Sequence, residues 1–462
     1  MDRKFDLALF IFRRDLRLHD NNGLNAAMHL SKQVLPCFIF DERQVSDENL
    51  YKSDNAIQFM IESLQDLARD IETHQGKLYI FHGNPEKILA ELIKNQKIDA
   101  VFTNRDYTPF SLKRDEQLNK LCHDFTIPFL QFDDALLNRP GSILTQGGTP
   151  FSVFTAFHKR AIQEPVVTPL TLTQANFYKS RELGHVNINN ELTSKGQILK
   201  TLNDELAVRG GRTAGKLLLK NLRNLKDYQK TRDFPALQTS MLSAHNKFGT
   251  FSIREIYHAI QESSGSNHLL LKQLYWRDFF YHVAFHYPHV FGHAFHKKYD
   301  NLSWSHNKEH FERWCTGTTG FPIVDAGMRQ LNKTGYMHNR VRMIVASFLT
   351  KDLHIDWQAG EQYFARNLVD YDPCVNNGNW QWSASTGCDA QPYFRIFNPW
   401  LQQAKFDPEA EYIKTWIPEL KNIPAATLHN LYKKPQVIRN YPQPMVDHSK
   451  ETAITKTLYR NA

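Results

Sequence analysis

The sequence predicts an α/β domain followed by an all-helical domain. Three observations predict this order: short apolar runs separated by helical spacing fill the first 132 residues, strand patterns disappear by residue 200, and helical spacing then continues to about residue 430. Buried strands that alternate with amphipathic helices are typical of a parallel sheet. We therefore expect a five-stranded parallel α/β domain at 1–132, an interdomain linker at 133–200 and a helical domain at 201–462 that ends in a short irregular tail.

Five apolar runs predict the strands, because each is short and flanked by polar or turn-forming residues. Between the second and third runs, Ile57, Ile61 and Leu64 recur at helical spacing. The predicted strands, in order, are Leu7–Phe12, Val34–Phe40, Leu78–Phe81, Ala100–Phe102 and Pro128–Phe132.

The linker and the helical domain have different signals. Pro140, Gly141 and Pro150 open an irregular stretch that later becomes rich in Asn and Thr. Loops of this length are usually functional or packed over another domain. After residue 200, helical spacing returns, as at Leu218 and Leu222.

Composition excludes several classes of protein. The 462 residues are 41% apolar and 23% charged, which is typical of a folded chain. No apolar run approaches the roughly 18 residues of a membrane span, and none near the start resembles a signal peptide, so we expect no membrane partner and a cytoplasmic location. The five cysteines form no CxxC pair, which argues against disulfides, zinc and iron–sulfur clusters and for a reducing compartment.

The net charge and the positions of the tryptophans give two further indications. The net charge of +8 permits a polyanionic partner without requiring one. All eight tryptophans lie beyond residue 275, so this part of the chain is built around large flat rings.

Two patterns resemble ligand motifs but do not complete them. Residues 210–216 have the spacing of a nucleotide P-loop, but Leu217 stands where Ser or Thr should hold magnesium, and no strand precedes the loop. Five histidines recur between His282 and His296, but Pro288 interrupts any helix there. We expect residues 210–216 to be the start of a basic helix and the histidines to be structural. We expect no metal site.

Two helical faces carry polar groups beside large side chains. On one face, an amide, an indole and a guanidinium can stack a base and bond its edge, although a helix flank around a core Trp is the better interpretation of this segment alone. On the other, Asn and Arg beside Met suggest a ligand, because a plain core would exclude them. The first face is Gln273, Trp276 and Arg277, and the second is Asn339, Arg342 and Met343.

The segment 370–382 concentrates carboxylates, amides and indoles. Pro373 is expected to open a helix, with the carboxylates on the preceding turn, where they can accept a hydrogen bond from an imide N–H. Two side chains then share one helical face and a second indole points elsewhere. The carboxylates are Asp370 and Asp372, the shared face is Asn376 and Trp380, and the second indole is Trp382.

A possible phosphate turn follows a basic run. Eight Lys or Arg residues lie between Arg209 and Arg232, and Thr239, Ser240 and Ser243 then enter a predicted helix. Hydroxyls and amides at a helix start bind phosphate, although an ordinary capped basic helix is an equally good interpretation of this segment alone.

Together, these segments resemble the DNA photolyase and cryptochrome family, most closely its class I cyclobutane-dimer photolyases. The resemblance covers nearly the whole chain. The segments that carry it are Phe12–Asp20, Gly148–Thr155, Gly320–Ala326, Asn376–Trp382 and Tyr393–Pro399.

The resemblance implies a Rossmann-like antenna domain, a linker and a helical domain that holds FAD. It assigns the FAD phosphates and ribose to Tyr228, Thr239, Ser240, Met241, Leu242 and Ser243. It assigns the isoalloxazine region to Arg277, Asn339, Arg342, Asp370 and Asp372, with Asn376 facing flavin N5.

It also implies an electron chain and a lesion site. Trp380, Trp357 and Trp304 match the chain that passes electrons from the surface to photoexcited flavin. The residues that match contacts to a flipped pyrimidine dimer or its phosphate are Arg232, Gln273, Trp276, Asn339, Met343 and Trp382.

The implied function is light-driven repair of cyclobutane pyrimidine dimers in damaged DNA by electron transfer from excited reduced FAD. The chain is expected to be monomeric and to need no obligate protein partner.

Gln273 departs from this group, which usually has Glu, and suggests a (6-4) photolyase as an alternative, whereas the single His338 opposes it. A cryptochrome photoreceptor is the second alternative; Asn376 and the absence of a long tail after Ala462 oppose it. Residues 104–109 do not match the folate pattern cleanly; the expected antenna is methenyltetrahydrofolate, and the alternatives are a deazaflavin and no antenna at all.

Overall fold

The computed structural model describes residues 3–172, 174–179, 183–191, 198–433 and 438–462. The chain forms two compact units built from interleaved segments. The predicted boundaries after residues 132 and 200 stay a prediction. Unit 1 comprises 1–203, 208–226 and 240–286, and unit 2 comprises 204–207, 227–239 and 287–462.

Unit 1 contains the five-stranded parallel sheet that the sequence predicts, in the order β3-β2-β1-β4-β5. Each strand overlaps one predicted apolar run. The bounds are β1 Phe5–Phe12, β2 Ser31–Asp41, β3 Tyr79–Gly83, β4 Ala100–Asn104 and β5 Phe129–Phe132.

The central strands contain continuous apolar runs because helices cover both faces of the sheet. Leu9 in β1 pairs with Leu35 on one side and Val101 on the other, and all three are buried. Its neighbour Phe10 is also buried, although it points to the opposite face. Burial of both faces explains why these strands appear in the sequence as continuous apolar runs.

Helices make up most of the rest of the described chain, and none of those described is long and apolar enough to span a membrane. The first ten are α1 Asn22–Leu30, α2 Glu42–Val45, α3 Asp54–Thr73, α4 Pro85–Gln96, α5 Pro109–Asp124, α6 Phe154–Ala161, α7 Arg212–Asn221, α8 Tyr228–Thr231, α9 Ser243–Phe248 and α10 Ile253–Ser264. The next ten are α11 Leu269–His286, α12 Lys308–Thr316, α13 Pro322–Thr334, α14 Asn339–Lys351, α15 Trp357–Asn367, α16 Pro373–Ala384, α17 Pro399–Phe406, α18 Glu411–Trp416, α19 Ala425–His429 and α20 His448–Arg460. Short 3-10 turns lie at Ile188–Asn190, Leu222–Leu225, Pro288–Val290, Lys297–Asn301 and Pro418–Leu420.

The segment Phe12–Asp20 is part of a buried ionic network in unit 1. Arg17 donates to Asp134 at 2.6 Å, and Arg254 donates to Asp134 and to Asp20, each at 2.8 Å. Two arginines face two carboxylates here, so the buried charges are paired. Burial would raise the pKa of Asp134, but Arg17 and Arg254 lower it below its ordinary value.

The core of unit 2 lies among α12 to α19. Met328, Phe348 and Leu349 are fully buried there together with Trp357 and Trp380. Apolar residues spaced three and four apart on α13 and α14 supply the facing stripes. This core therefore holds two of the three tryptophans predicted to carry electrons.

The predicted irregular tail was wrong, because α20 ends the chain as a regular helix. Asp447 caps α20, accepting from the backbone N–H of Ser449 at 2.9 Å. The centroid of the Tyr459 ring lies 3.5 Å from Nζ of the buried Lys351, and this nitrogen donates to the carbonyl of Ala384 at 3.1 Å. Burial lowers the pKa of Lys351 well below its ordinary value. These contacts hold α20 onto the ends of α14 and α16.

Candidate functional site

Arg342 and Asp370 form an ion pair in unit 2. Arg342 lies in the first turn of α14, and Asp370 lies on the turn before α16. Arg342 Nη2 donates to Asp370 Oδ2 at 2.9 Å, and its Nε donates to the carbonyl of Met337 at 2.8 Å. Burial would lower the pKa of Arg342, but the Asp370 carboxylate raises it, so the guanidinium stays charged. The structure thus joins two groups that the sequence placed 28 residues apart.

Asp370 has a second oxygen that faces no donor. Within the described residues, its Oδ1 is buried and has no hydrogen-bond partner. Nearby, the guanidinium of Arg342 lies 5.2 Å from the ring of Tyr336, whose hydroxyl is 3.5 Å from Oγ1 of Thr239. Buried carboxylate oxygens are normally hydrogen-bonded, and the imide N–H of a flavin is a suitable donor. These residues fit the expected flavin.

Asp372 and Asn376 are positioned by the start of α16. Asp372 is the N-cap and accepts from the backbone N–H groups of Cys374 at 3.1 Å and Val375 at 3.3 Å, and Pro373 occupies the first helical position as predicted. One turn later, Asn376 Nδ2 donates to the carbonyl of Glu361 at 3.1 Å. That bond fixes the plane of the Asn376 amide and leaves its carbonyl oxygen as the group free to face a ligand.

The predicted electron chain lies in the core of unit 2. Trp357 and Trp380 are buried in one cluster, and Trp304 packs against it while partly exposed. The ring of Trp380 lies directly over Gly360, one turn after Trp357 on α15, where a Cβ would overlap it. Trp304 in turn lies 6.4 Å from the ring of Tyr459.

The face of α11 in unit 1 is organised around Trp276. Gln273, Trp276 and Arg277 are all partly exposed, as their shared helical face requires. The ring of Trp276 stacks on that of Phe154, with centroids 3.6 Å apart and 9° between the planes. Phe154 begins α6 and was not predicted to be functional. No local signal in the sequence links it to Trp276.

Arg277 and its neighbour Asp278 bind the linker. Arg277 Nη1 donates to the carbonyl of Ala135 at 2.7 Å, and Nη2 to that of Asn246 at 3.3 Å. Asp278 is buried and accepts from the backbone N–H of Asn138 at 2.8 Å. Burial raises the pKa of Asp278 to about 7. In unit 1, these two side chains therefore hold residues 135–138 against α11.

The second predicted ligand face, on α14, is also formed. Asn339 begins the helix, and its Nδ2 lies 3.8 Å from the sulfur of Met343 one turn later. The preceding His338 caps α14 by accepting from the backbone N–H of Arg340 at 3.1 Å. Burial lowers the pKa of His338 to about 4, so its ring is neutral at physiological pH.

The remaining predicted residues lie around α8 and α9. Tyr228 begins α8, and the guanidinium of Arg232 lies 5.9 Å from its ring. The turn before α9 has Met241 with a φ of 54° and a buried Leu242. Unit 1 contains Ser240, Met241, Leu242, Ser243, Gln273, Trp276 and Arg277, and unit 2 contains Tyr228, Arg232, Thr239, Trp304, Asn339, Arg342, Met343, Trp357, Asp370, Asp372, Asn376, Trp380 and Trp382.

The glycine-rich segment 210–216 binds the chain itself rather than a phosphate. The backbone N–H of Gly210 donates to Glu62 at 2.6 Å, that of Gly211 to the hydroxyl of Ser63 at 2.8 Å, and that of Thr213 to Asp66 at 3.0 Å. These acceptors all belong to α3. The predicted helix start is confirmed, since α7 begins at Arg212. The backbone N–H groups at this start already donate to the side chains of α3.

The histidine series does not share one helix. The helix α11 ends at His286, and a 3-10 turn begins at Pro288, as the sequence predicted. His282 Nε2 lies 3.0 Å from the carbonyl of Asn138, and burial lowers the pKa of His282 to about 4. His282 therefore packs as a neutral core side chain.

Two family models match the chain. The model described as DNA photolyase matches residues 8–173, and the model described as the FAD binding domain of DNA photolyase matches residues 270–461. A deoxyribodipyrimidine photo-lyase from Alkalihalophilus pseudofirmus is 39% identical over 459 residues, which cover 95% of this chain and 95% of that protein.

Two solved structures are similar over nearly the whole chain. The archaeal photolyase from Sulfolobus tokodaii, determined with two FAD molecules, is 43% identical with a TM-score of 0.89 and covers 99% of this chain and 100% of its own. The bacterial class III photolyase from Agrobacterium tumefaciens is 34% identical with a TM-score of 0.90 and covers 100% of this chain and 98% of its own.

Proposed function

The chain belongs to the DNA photolyase family, and from this premise we propose that it is a deoxyribodipyrimidine photo-lyase that repairs cyclobutane pyrimidine dimers in DNA under blue light. The observation that carries the proposal is full-length similarity to relatives named for this activity. The class I assignment is a further proposal, since one of the similar structures is a class III enzyme.

The chain has the FAD-binding domain of its family. When bound in its reduced form, FAD supplies under blue light the electron that opens the dimer. Arg342, held by Asp370, would present a fixed positive charge beside the flavin ring. The second oxygen of Asp370 would accept a hydrogen bond from the imide N–H of the flavin. Asn376 would offer its carbonyl oxygen to N5, because its amide nitrogen is already bonded to Glu361.

The other proposed FAD contacts come from turns and helix starts, where hydroxyl and backbone N–H groups are available. Support for them is the resemblance, together with the positive φ of Met241, which turns the chain immediately before α9. The residues that we propose to contact the cofactor are Tyr228, Thr239, Ser240, Met241, Leu242, Ser243, Arg277, Asn339 and Asp372.

We propose that Trp276 stacks on the flipped dimer. Phe154 covers one face of its indole, so the opposite face is the one that can receive a base. Flipping is least costly at a damaged step, which favours the lesion over normal DNA. The other proposed lesion contacts are Arg232, Gln273, Asn339, Met343 and Trp382.

We propose that Trp380, Trp357 and Trp304 carry electrons to the flavin when it must be reduced. Their support is burial in one cluster with Trp304 at its edge, where contact with water can stabilise positive charge. The rings are oxidisable, whereas the aliphatic side chains that surround them are not.

An antenna chromophore in unit 1 is proposed as well, with methenyltetrahydrofolate first and a deazaflavin second. At the predicted pocket edge, Asn104 donates to Asp15 at 2.5 Å and to Asn21 at 2.7 Å, and Tyr107 donates to Asp133 at 2.6 Å. These side-chain donors are used within the protein. The Sulfolobus tokodaii photolyase, with its two FAD molecules, makes a second flavin the third candidate. Acid release of the chromophore, followed by absorption and mass spectrometry, distinguishes the three.

Five cysteines, all free, support a reducing cytoplasmic location, and we propose that the protein acts as a monomer on damaged DNA. Size-exclusion chromatography with light scattering tests the oligomeric state, because a monomer has a mass of 53.9 kDa.

The experiment that tests the function is repair of a thymine cyclobutane dimer in a defined oligonucleotide. The purified, chemically reduced protein is illuminated with blue light, and an identical sample is kept dark. Light-dependent recovery of the two thymines is the expected result. Failure with FAD bound and fully reduced would contradict it, and repair of a (6-4) photoproduct in the same assay would instead support the function that Gln273 suggests.

A further inference from the structure

Trp314 is a buried tryptophan that the proposed function does not use. It lies on α12 and is fully buried in the core of unit 2. Its ring centroid is 6.2 Å from that of Trp380, and the two rings meet edge to face at 71°. Trp380, the innermost ring of the proposed electron chain, therefore contacts an oxidisable ring that has no role in that chain.

The contact continues to a tyrosine. The ring of Tyr363, on α15, lies 5.5 Å from that of Trp314. Tyr363 is partly exposed, and its hydroxyl lies 2.7 Å from Oδ1 of Asn332 and 3.0 Å from the carbonyl of Cys315. The ring of Trp314 thus connects Trp380 with the partly exposed phenol of Tyr363.

Other rings near Trp314 cannot share this role. In the described part of the chain, Trp314 also contacts Phe311 at 5.9 Å and Phe364 at 6.1 Å. Phenylalanine is far harder to oxidise than tryptophan or tyrosine. The oxidisable neighbours of Trp314 are therefore Trp380 on one side and Tyr363 on the other, which defines a direction.

We propose that Trp314 and Tyr363 form a second branch that supplies electrons to Trp380, alongside Trp357 and Trp304. This aromatic branch rests on the proposed function, since it requires bound FAD and a Trp380 that reduces it.

Each step transfers one electron. Trp380 loses an electron to the photoexcited oxidised flavin, and Trp314 restores it. Tyr363 then gives one electron to Trp314 and releases its phenolic proton to solvent on the side of its hydrogen-bond partner Asn332, which is exposed. The net result is one electron delivered, one proton released and a neutral tyrosyl radical, which a thiol reductant in solution repairs by donating a hydrogen atom.

The surroundings of Trp314 explain why the charge would move on to Tyr363. The indole Nε1 of Trp314 donates to the carbonyl of Val345 at 3.0 Å, and a peptide carbonyl is too weak a base to remove that proton. An oxidised Trp314 would therefore remain a cation in an apolar core, which is costly. Tyr363 can lose its proton and so become neutral, which makes it the end of the branch.

The test is flash photolysis of the full chain with oxidised FAD bound, with electron paramagnetic resonance to distinguish tyrosyl from tryptophanyl radicals. Trp357→Phe blocks the assigned chain and should leave a tyrosyl radical, whose signal narrows when the protein is grown with ring-deuterated tyrosine. Adding Tyr363→Phe should abolish that radical. Adding Tyr459→Phe instead is the matched control, because Tyr459 contacts Trp304 beyond the block, and the radical should persist.

Four outcomes separate the hypotheses. Absence of a tyrosyl radical in Trp357→Phe, with normal photoreduction in the wild type, would overturn the aromatic branch. So would a radical that survives Tyr363→Phe. If instead the wild type binds FAD but yields no radical, or if Trp380→Phe still photoreduces normally, the proposed role of Trp380 fails and the branch fails with it.

Discussion

The ring of Trp276 lies flat against the ring of Phe154, with centroids 3.6 Å apart and 9° between the planes. Trp276 belongs to α11, whereas Phe154 begins α6 within the stretch predicted to be a linker. A parallel ring at van der Waals distance covers one face of the indole. Phe154 thus sets the plane on which a flipped pyrimidine would stack.

Phe154→Leu should weaken binding of dimer-containing DNA about fivefold, because an aromatic pair contributes about 1 kcal/mol beyond its buried area. Fluorescence anisotropy with damaged and undamaged duplexes measures the effect, and Phe154→Tyr should restore affinity. Phe157→Leu is the control, since Phe157 is equally buried and also contacts Phe279, but it contacts His282 where Phe154 contacts Trp276. An equal loss for both duplexes, or the same loss in the control, would argue against this role.

Asp370→Asn should weaken FAD binding by about 3 kcal/mol, because it leaves the Arg342 guanidinium without its carboxylate. The ratio of flavin to protein absorbance after dialysis measures the loss. Asp233→Asn makes the same charge change at the partner of Arg340 and should retain FAD. Full flavin occupancy in Asp370→Asn would exclude the ion pair from the cofactor site.

His245 should make stability depend on pH. Burial lowers its pKa from 6.5 to about 4, so below pH 6.5 the unfolded chain binds a proton that the folded protein does not. Its contribution is complete above pH 6.5 and is lost as the pH falls toward 4, with a slope of at most about 1.4 kcal/mol per pH unit. His245→Asn keeps an acceptor for the Thr250 hydroxyl and should flatten the dependence of the melting temperature on pH, whereas the exposed His123→Asn should not. Parallel curves for His245→Asn and the wild type would contradict this.

Gly360→Ala should destabilise unit 2 by about 3 kcal/mol, because the new methyl group would overlap the ring of Trp380. Thermal unfolding measures the cost, and tryptophan fluorescence reports displacement of the ring. Gly147→Ala, where the nearest atom to a new Cβ is 3.9 Å away, serves as the control and should melt like the wild type. A wild-type melting curve for Gly360→Ala would mean that the ring does not lie against α15.

Gln273→Glu should raise the yield of dimer repair per absorbed photon and change dimer affinity little. A protonated carboxyl group can donate an O–H hydrogen bond to the dimer and stabilise the negative charge that forms there after electron injection, whereas an amide offers only its weaker N–H donors. Actinometry during repair of a defined oligonucleotide measures the yield, and Gln261→Glu on α10 makes the same change elsewhere. An unchanged yield would show that the amide meets the same need.

Features that depend on neighbouring residues could be predicted from the sequence. Asp372 and Pro373 show this, since an N-cap and a first-turn proline act within one turn, and the structure forms both. The buried strands were equally readable, because burial of both faces produces continuous apolar runs. The tail was missed although Asp447 is a good cap, because residues 448–460 lack a strong apolar stripe.

Contacts between distant segments could not be predicted in this way. Phe154 and Trp276 lie 122 positions apart, and neither has a local pattern that indicates the other. Trp314 likewise looks like any core tryptophan until its distance to Trp380 is known. Such pairs are set by how helices pack, which a single sequence does not specify.

The carboxylates of α3 that occupy the glycine-rich loop have an evolutionary consequence. Glu62 and Asp66 act as resident anions for the backbone N–H groups of Gly210 and Thr213, so the two segments are coupled. A relative that loses one acid must also change the loop or fill it with another acceptor. Substitutions at positions 62 and 66 should therefore covary with those at 209–213 across the family. A search that relied on the glycine spacing alone would misidentify such a loop as a nucleotide site.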